Sequence, residues 1–532
     1  MAEKQTTYVL PEHVSRLLGR EAQRNNILAV KIVADIVKTT LGPRGMDKML
    51  VDAAGNITIT NDGVTILEEM ELDHPAAKMI VEIAKTQERE VGDGTTTAAL
   101  LAGRLLECAE TLLDRRIHPT VIVRGYQLAV THALKVLAEL SFPADRRELL
   151  YQTAMTAMTG KGAEGNKEIL SELTVRAIEQ IASGRDADLA HIKIEKIEGG
   201  SVSDSNLIQG IVLNKERANS EMPSRVENAK ILLVDIPLEL RSPESETTIS
   251  ISSPEQFESF LEAEERRLKG MSEQIVSSGV NVVFCQKGID NVAQYYLAKA
   301  GVFACRRISR SDIEKLALAT AAKIVSNLQE ISLTDLGAAA LVEEVKLGDD
   351  SLTYIHGCSN PRALTIVLRG GTRHVIDEIE RAIHDGLSDV ASVLRSGRVV
   401  CGGGAIEIEL SRRLRIFART VSGREQLVIE EFAHALEAIP EALAENAGLD
   451  PIEVVSELKK QHEEGGVRKG LNLLSDKIED VFAAGIIEPL KVKTQALASA
   501  SEVATMILRI DDVLMSKEVK ESVQSQGVVE EK

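Results

Sequence analysis

The sequence predicts a multi-domain α and α/β protein, with one helical domain assembled from both chain ends and an α/β domain inserted between them. Three observations carry this. The chain has 532 residues, which at ~100–200 residues per domain suggests about three domains. Aromatic residues make up only 3% and Trp is absent, so the cores must be built from Ala, Val, Ile and Leu, which suits helices better than an all-β fold. The texture along the chain runs helical, mixed, α/β, mixed, helical, a near-palindrome that implies nested insertion rather than tandem repetition.

Taken in order, residues from about Ala22 to Thr40 place Val33, Ile36, Val37 and Leu41 at helical spacing, and Gly42-Pro43 ends the run. Two short β-type stretches flank Ala53-Ala54-Gly55-Asn56 and read as a hairpin. Helices are expected from about Pro75 to Glu90, from Thr95 onward, and on to about Leu140, with a boundary at Ser141-Phe142-Pro143. Residues 144–185 alternate helix with the loop Thr159-Gly160-Lys161-Gly162. From His191 to Val234 the β-type segments HIKIEKI, LIQGIVL and AKILLVD dominate; the later strands VNVVFCQ and VFACRRI alternate with helices near Asp290–Lys299 and Asp312–Ala322, the pattern of an α/β domain over about 214–363. Within it, Ser253-Pro254-Glu255-Gln256 has the form of a helix start, followed by Phe257, Leu261, Leu268, Met271 and Ile275 on one side. That is the pattern of an ordinary solvated amphipathic helix or of a protrusion. Thr365–Gly371 reads as a strand and turn before a helix through Asp385, and from Gly402 the chain is helix-rich again. The run Ala504–Met515, with Met506, Leu508 and Ile510 alternating, is expected to supply a strand, and Lys517–Lys532 to fray.

Composition excludes several function classes. The net charge of −19 disfavours a nucleic-acid partner, which would require a basic face. The five cysteines are scattered with no CxxC pair, and the ten histidines show no HExxH spacing. The N-terminal stretch lacks an apolar segment, and no run approaches the ~18–20 apolar residues that span a membrane. The expectation is a cytoplasmic protein with no membrane partner.

Several strings have the residue types that phosphate chemistry needs. Gly92-Asp93-Gly94-Thr95-Thr96-Thr97 stands directly before an Ala/Leu-rich helix: the glycines permit close backbone approach, the helix start offers free N–H groups and a positive dipole, and Asp93 offers a hard oxygen for Mg²⁺. The Gly-Lys-Ser/Thr ending of the common P-loop is missing, and a lone Gly-Asp-Gly is most often a tight turn. Asn61-Asp62-Gly63, Leu41-Gly42-Pro43-Arg44-Gly45, Cys401-Gly402-Gly403-Gly404-Ala405, Asp385 and Lys161 each read equally well as turns, hinges or solvated groups when taken singly.

Together and in this order, these strings resemble the chaperonin family, specifically its group II branch, which includes the archaeal thermosome and the eukaryotic cytosolic chaperonin. The matching segments are Thr40–Met49, Asn61–Leu67, Gly92–Thr97, Phe284–Asp290, Leu368–Thr372, Glu380–Asp385 and Gly402–Ala405, and the likeness extends from about Tyr8 to Met515. It implies a nested architecture: an equatorial ATPase domain (1–143 and 401–532), an intermediate domain (144–213 and 364–400) and an α/β apical domain (214–363). A helical lid protrusion is implied at about 241–279. The implied activity is an ATPase that encloses unfolded polypeptides in a double ring of identical subunits or close paralogues. ATP and Mg²⁺ are the implied cofactors, with K⁺ as a further candidate.

The resemblance also implies roles residue by residue. Asp93 matches the magnesium ligand; Gly94, Thr95, Thr96 and Thr97 the phosphate cradle; Gly42 and Pro43 the loop closing over the nucleotide. Asp62 and Asp385 match the carboxylates that position the attacking water, Asp385 reaching it only when its domain swings down. Thr159, Gly160 and Lys161 match a nucleotide-sensing loop, Gly403 and Glu488 the nucleoside end, and Asn472 the base. The segment Gly470–Lys477 departs from the family's Gly-x-Asp/Asn-Val-Phe-x-Gly-Lys pattern. A non-catalytic ring subunit is the first alternative, which loss of Asp62, Asp93 or Asp385 would have favoured; an unrelated small-molecule ATPase is the second.

Overall fold

The stretch from Thr95 to Asp114 carries no charged residue over positions 95–103, and the chain folds it as a helix buried on every side over those residues. The computed structural model describes residues 14–52, 54–162, 164–239, 254–347, 350–360 and 362–516. The chain divides into two units, residues 1–142 with 399–532 and residues 143–398. The class is mixed, with a helical first unit drawn from both chain ends and an α/β second unit.

In the first unit, helix Thr95–Asp114 is surrounded by Gly19–Lys38, Pro75–Val91, Arg424–Ala435 and Leu490–Leu508. Small residues set the closeness: a Cβ on Gly103 would stand 2.4 Å from Ala34 Cβ. The core is aliphatic as expected, apart from Phe432 and, beside it, Tyr126. Its ring meets Phe432 edge-on and its hydroxyl donates to the Leu105 carbonyl at 2.6 Å, which removes the cost of burying the hydroxyl. The hairpin is present as Lys48–Val51 paired with Ile57–Thr60, and Asp52 closes its turn by accepting from the Ala54 and Asn56 N–H groups. Met49, Val51, Ile57 and Ile59 are exposed on it.

The C-terminal strand is shorter than expected. Met506 and Leu508 belong to helix Leu490–Leu508, whose buried Val492, Ala496, Leu497, Ala500, Ala504 and Ile507 keep helical spacing. Only Asp512–Ser516 is a strand, antiparallel to Val14–Leu18. Residues 517–532 lie outside those described.

Two buried carboxylates tie the helices of the first unit's C-terminal half. Glu437 is 1% exposed and accepts from Ser411, Arg415, His434 and Lys459 at 2.6–3.1 Å. Burial alone would push its carboxyl up; the hydrogen bonds from His434 and Lys459 and the Arg415 charge outweigh this and hold it at about 2. Glu409, fully buried, is likewise pushed up by burial but held at about 2 by His462, Arg412 and Arg413.

The second unit contains a nine-stranded mixed sheet in the order Ile192–Glu198, Leu364–Gly370, Asn206–Leu213, Asp350–Cys358, Gly337–Leu347, Arg225–Val234, Val282–Cys285, Phe303–Cys305, with Ile324–Val325 also beside Arg225–Val234. Alternation along Arg225–Val234 sends Ile231 and Leu233 to the side of helix Arg310–Thr320, and Leu232 and Val234 to the side of Pro254–Ser277 and Asn291–Lys299. The strands Gly337–Leu347 and Asp350–Cys358 were not expected: Gly337-Ala338-Ala339-Ala340 has weak β-propensity, and cross-strand pairing makes up for it. Leu364, Ile366 and Leu368 face helices Arg147–Met158, Lys167–Ile181 and Arg373–Ser396. Of the expected protrusion at 241–279, residues 241–253 lie outside those described; Pro254–Ser277 is one helix, with Leu268 and Ile275 buried.

Strand Asn206–Leu213 changes partners midway. Asn206–Gln209 pair with Val367–Leu364, and Gly210–Leu213 pair with His356–Thr353. Gly210 sits at φ +133°, and a Cβ there would strike the Ile355 carbonyl at 2.0 Å. The fully buried Thr365 hydroxyl fills the break, donating to the Gly210 carbonyl at 2.8 Å and accepting from the Val212 N–H at 3.1 Å.

Two predictions follow from these networks. Because the folded-state carboxyls are depressed, their contribution is complete above the ordinary value of 4.5 and is lost as pH falls toward about 2. Urea titrations of the first unit's unfolding should show stability declining through that window, and Glu437→Gln should lower stability at neutral pH by about 1–3 kcal/mol while flattening the acid decline. In the second unit, Thr365→Val strands two buried backbone groups and should cost about 1–3 kcal/mol in the same assay, with Thr365→Ser retaining most of the stability.

Candidate nucleotide site

The loop between helices Pro75–Val91 and Thr95–Asp114 is built by two left-handed glycines: Gly92 (φ +82°) ends the first helix and Gly94 (φ +80°) begins the second. Gln87 holds the loop from below. It is fully buried, and its amide donates to the Asp93 carbonyl at 2.8 Å and the Val492 carbonyl at 3.3 Å. Sequence reading passed over Gln87, although it stands in the apolar stripe Ile80, Ile83, Ala84, Val91, where a polar residue needs a reason. No side chain caps the second helix at Gly94, so its first N–H groups stay available to an external acceptor. Thr95, Thr96 and Thr97 are all buried in this first turn.

Asp62 stands beside that turn. It is the N-cap of helix Gly63–Glu69; its Oδ2 accepts from the Thr65 N–H at 2.9 Å and the Thr65 hydroxyl at 2.7 Å, and its Oδ1 from the Thr95 hydroxyl at 3.5 Å. The Asn61-Asp62-Gly63 string is thus a helix cap rather than a turn. Gly63 is required here, since a Cβ would meet Thr96 Oγ1 at 2.5 Å.

The other glycine strings are drawn to the C-terminal half of the same unit. The Gly42-Pro43 loop is tied by Asn446, which donates to the Lys38 and Leu41 carbonyls at 3.0 and 2.8 Å, and by an Arg44–Asp476 ion pair at 2.9 Å. A Cβ on Gly42 would strike Leu443 and lie 3.7 Å from Leu473. Gly403 accepts from the Leu471 N–H at 2.8 Å, next to Asn472. The Asn472 amide is already engaged: it donates to Glu479 at 2.5 Å and accepts from the Leu474 N–H at 2.9 Å. Glu488 lies in the strand Ile487–Pro489, opposite Val400, with Oε2 2.8 Å from Lys493 Nζ. Burial pushes its carboxyl up; Lys493 opposes this, and Glu407 and Asp93 add to the rise.

The remaining expected residues lie in the second unit. Thr159 donates its hydroxyl to the Met155 carbonyl at 2.7 Å, and Gly160 (φ +81°) donates its N–H to Glu164 at 2.7 Å. Lys161 forms an ion pair with Asp385. Asp385 is 8% exposed on helix Arg373–Ser396, not solvent-facing as a helical Asp usually is.

The donor set fits a magnesium–triphosphate group. Asp93 and the threonine hydroxyls are hard oxygen donors, and the uncapped helix start is the stereotyped seat for phosphate. Cysteine chemistry has no support: burial pushes Cys108, Cys305 and Cys401 up to about 12, and Cys285 and Cys358 up to about 11. Among the described residues, no helix is long and apolar enough to cross a membrane.

Comparison with known proteins identifies the family. The model of the TCP-1/cpn60 chaperonin family matches residues 33–518. The chain is 54% identical over 517 residues to a thermosome subunit of Methanopyrus kandleri, covering 96% of this chain and 95% of that one. It is 54% identical to the thermosome subunit beta of Archaeoglobus fulgidus, over 96% of this chain and 95% of the relative, and 52% identical to the alpha subunit, over 98% and 96%. Among solved structures it resembles the open-state monomer of a group II chaperonin from Methanococcoides burtonii, with TM-score 0.63 and 45% identity over 79% of this chain and all of that one. A family model spanning most of the chain and full-length relatives above half identity make this chain a member of the TCP-1/cpn60 chaperonin family, as a group II chaperonin subunit.

Proposed function

We propose that the residues gathered at the start of helix Thr95–Asp114 hold Mg-ATP, and that its hydrolysis drives enclosure of unfolded polypeptides in a double-ring chamber. As a group II chaperonin subunit the chain is an ATP-dependent, ATP-hydrolysing chaperonin; the residue roles, the metal and the clients are what the proposal adds. The observation that carries it is convergence. Segments around Gly42, Asp62 and Asp93 and, about 300 residues on, around Gly403, Asn472 and Glu488 are linked in one unit around one uncapped helix start.

In this reading the Thr95–Thr97 N–H groups and hydroxyls bind the phosphates, and Gly94 lets them approach. Asp93 holds Mg²⁺, which when bound neutralises charge on the phosphate oxygens. The Gly42-Pro43 loop covers the nucleotide, Gly403 and Glu488 meet its nucleoside end, and Asn472 stands beside the base. With its amide engaged by Glu479 and Leu474, Asn472 meets the base by contact rather than by a side-chain hydrogen bond. Asp62 and Asp385 orient the attacking water, positioning being the main lever in phosphoryl transfer. Thr159, Gly160 and Lys161 sense the terminal phosphate, and the ion pair with Lys161 holds the Asp385 side chain in place. The K⁺ requirement rests on family resemblance alone.

Because Asp385 belongs to a different unit from Asp62 and Asp93, the proposed chemistry is tied to domain closure. The finer division of the second unit at 213/214 and 363/364 is part of the proposal. Its support is strand Asn206–Leu213, which pairs with strand Leu364–Gly370 on one side of Gly210 and with Asp350–Cys358 on the other. Ring assembly is supported by the apolar hairpin Lys48–Val51/Ile57–Thr60, whose exposed Met49, Val51 and Ile57 suit burial against a neighbouring subunit.

Asp385→Ala in the assembled protein should leave Mg-ATP affinity within about twofold and lower turnover by about a hundredfold or more; steady-state phosphate release alongside equilibrium titration checks this, and unchanged turnover would refute the role. Gln87→Leu should loosen the Asp93 loop and raise the KM for ATP about tenfold, read in the same assays, while the assembled ring persists by native mass spectrometry.

A further inference from the structure

A buried lysine sits where strand Ile487–Pro489, helix Leu490–Leu508 and helix Ala405–Ala418 meet. Lys493 Nζ lies 2.9 Å from Glu407 Oε1 and 2.8 Å from Glu488 Oε2, and its side chain is 9% exposed. The position is costly in two ways. A cation in the first turn of a helix opposes the helix dipole, and removing an ammonium from water is unfavourable unless it is paired. Packing alone would be served better by leucine, so the two carboxylates are what the lysine is there to meet.

The carboxylates are not equivalent. Glu407 is 4% exposed on its side chain, and its Oε2 is buried without a hydrogen-bond partner among the described residues. Glu488 keeps 24% of its side chain exposed and divides its oxygens. Oε2 is held by Lys493; Oε1 lies over the glycine loop, where a Cβ on Gly402 would come within 3.0 Å of it. Held at one oxygen by a buried, nearly immobile ammonium, the carboxylate has its second oxygen fixed toward the Gly402–Gly404 loop. Released from Lys493, a glutamate on a short strand has three side-chain torsions to sample, and a fixed acceptor becomes a mobile one.

We propose that Lys493 is a positioning residue for nucleotide binding: it fixes Glu488 so that Oε1 accepts hydrogen bonds from the sugar hydroxyls of a ribonucleoside triphosphate, and Glu407 keeps the lysine in place. The inference rests on the assignment of Glu488 to the nucleoside end. Lys493 itself does not touch the nucleotide; it acts through Glu488 and selects the sugar.

The test compares binding of ATP and 2′,3′-dideoxy-ATP to the assembled protein and its variants. The wild type should prefer ATP by about tenfold or more, the worth of hydrogen bonds to a charged acceptor. Lys493→Met should lose ATP affinity by a similar factor and no longer distinguish the two sugars, with the loss falling on KM rather than kcat. Lys493→Arg should restore part of the preference. Glu488→Gln should behave like Lys493→Met, and the double variant should be no worse than either single one. If Lys493→Met fails to assemble, Lys493→Met with Glu407→Gln removes one of the stranded carboxylates and is read the same way. A lysine variant that keeps the full preference for ATP while Glu488→Gln loses it overturns the role of Lys493. A wild type without a sugar preference, or a Glu488→Gln variant that keeps the full preference for ATP, overturns instead the assignment of Glu488.

Discussion

The uncapped start of helix Thr95–Asp114 is the constraint on which the first unit depends. A helix buried on every side at its start must bring its N-terminal N–H groups to the surface or find them partners. Here a left-handed Gly94 supplies no side-chain cap, and the chain around it supplies order instead. Gln87 fixes the loop from within, Asp62 meets Thr95 from one side, and Val492 closes against Gly94 from another. The aliphatic core makes this rigid: Ala and Gly at the crossings bring helices so close that Gly103 has no room for a methyl group. An uncapped helix start is a favourable seat for an anion, and the family to which the chain belongs is one that uses nucleotides.

Charge inside the first unit follows one rule. Glu409, Glu437 and Lys493 are nearly inaccessible, and each is met by two or more groups of opposite charge. Such clusters contribute little net stability compared with apolar packing. What they supply is direction, because each requires specific helices to meet at specific residues. Glu409 and Glu437 do this for the scaffold, and Lys493 does it for Glu488, which in the proposed function meets the nucleotide.

Much of this was legible in the sequence, for identifiable reasons. The long helices announced themselves through period and punctuation: Gly42-Pro43 stops one and Pro75 starts another. The first unit's assembly from both chain ends was visible as texture. Single motifs were weaker guides, because a Gly-Asp-Gly or Asn-Asp-Gly string is locally indistinguishable from a turn, and only the ordered set pointed to a family. What escaped reading depends on tertiary pairing. The strand Gly337–Leu347 opens on Gly-Ala-Ala-Ala, with little intrinsic β character, and is held by pairing with Arg225–Val234 on one side and Asp350–Cys358 on the other. The segment after Ala504 alternates briefly but lies on a helix whose longer period wins. Gln87, Glu407 and Lys493 are polar residues whose partners lie far off along the chain, so only their misplacement, polar in an apolar stripe or cationic at a helix start, gave a signal.

The central claim is that a magnesium–nucleoside triphosphate sits on the start of helix Thr95–Asp114. A cryo-electron microscopy map of the assembled protein with Mg²⁺ and a non-hydrolysable ATP analogue tests it most directly. The account predicts phosphate density within hydrogen-bonding reach of the Thr95–Thr97 N–H groups, metal density at Asp93, and the sugar against Glu488. Nucleotide density elsewhere in the chain, with the Gly92–Thr97 loop unoccupied, would contradict it.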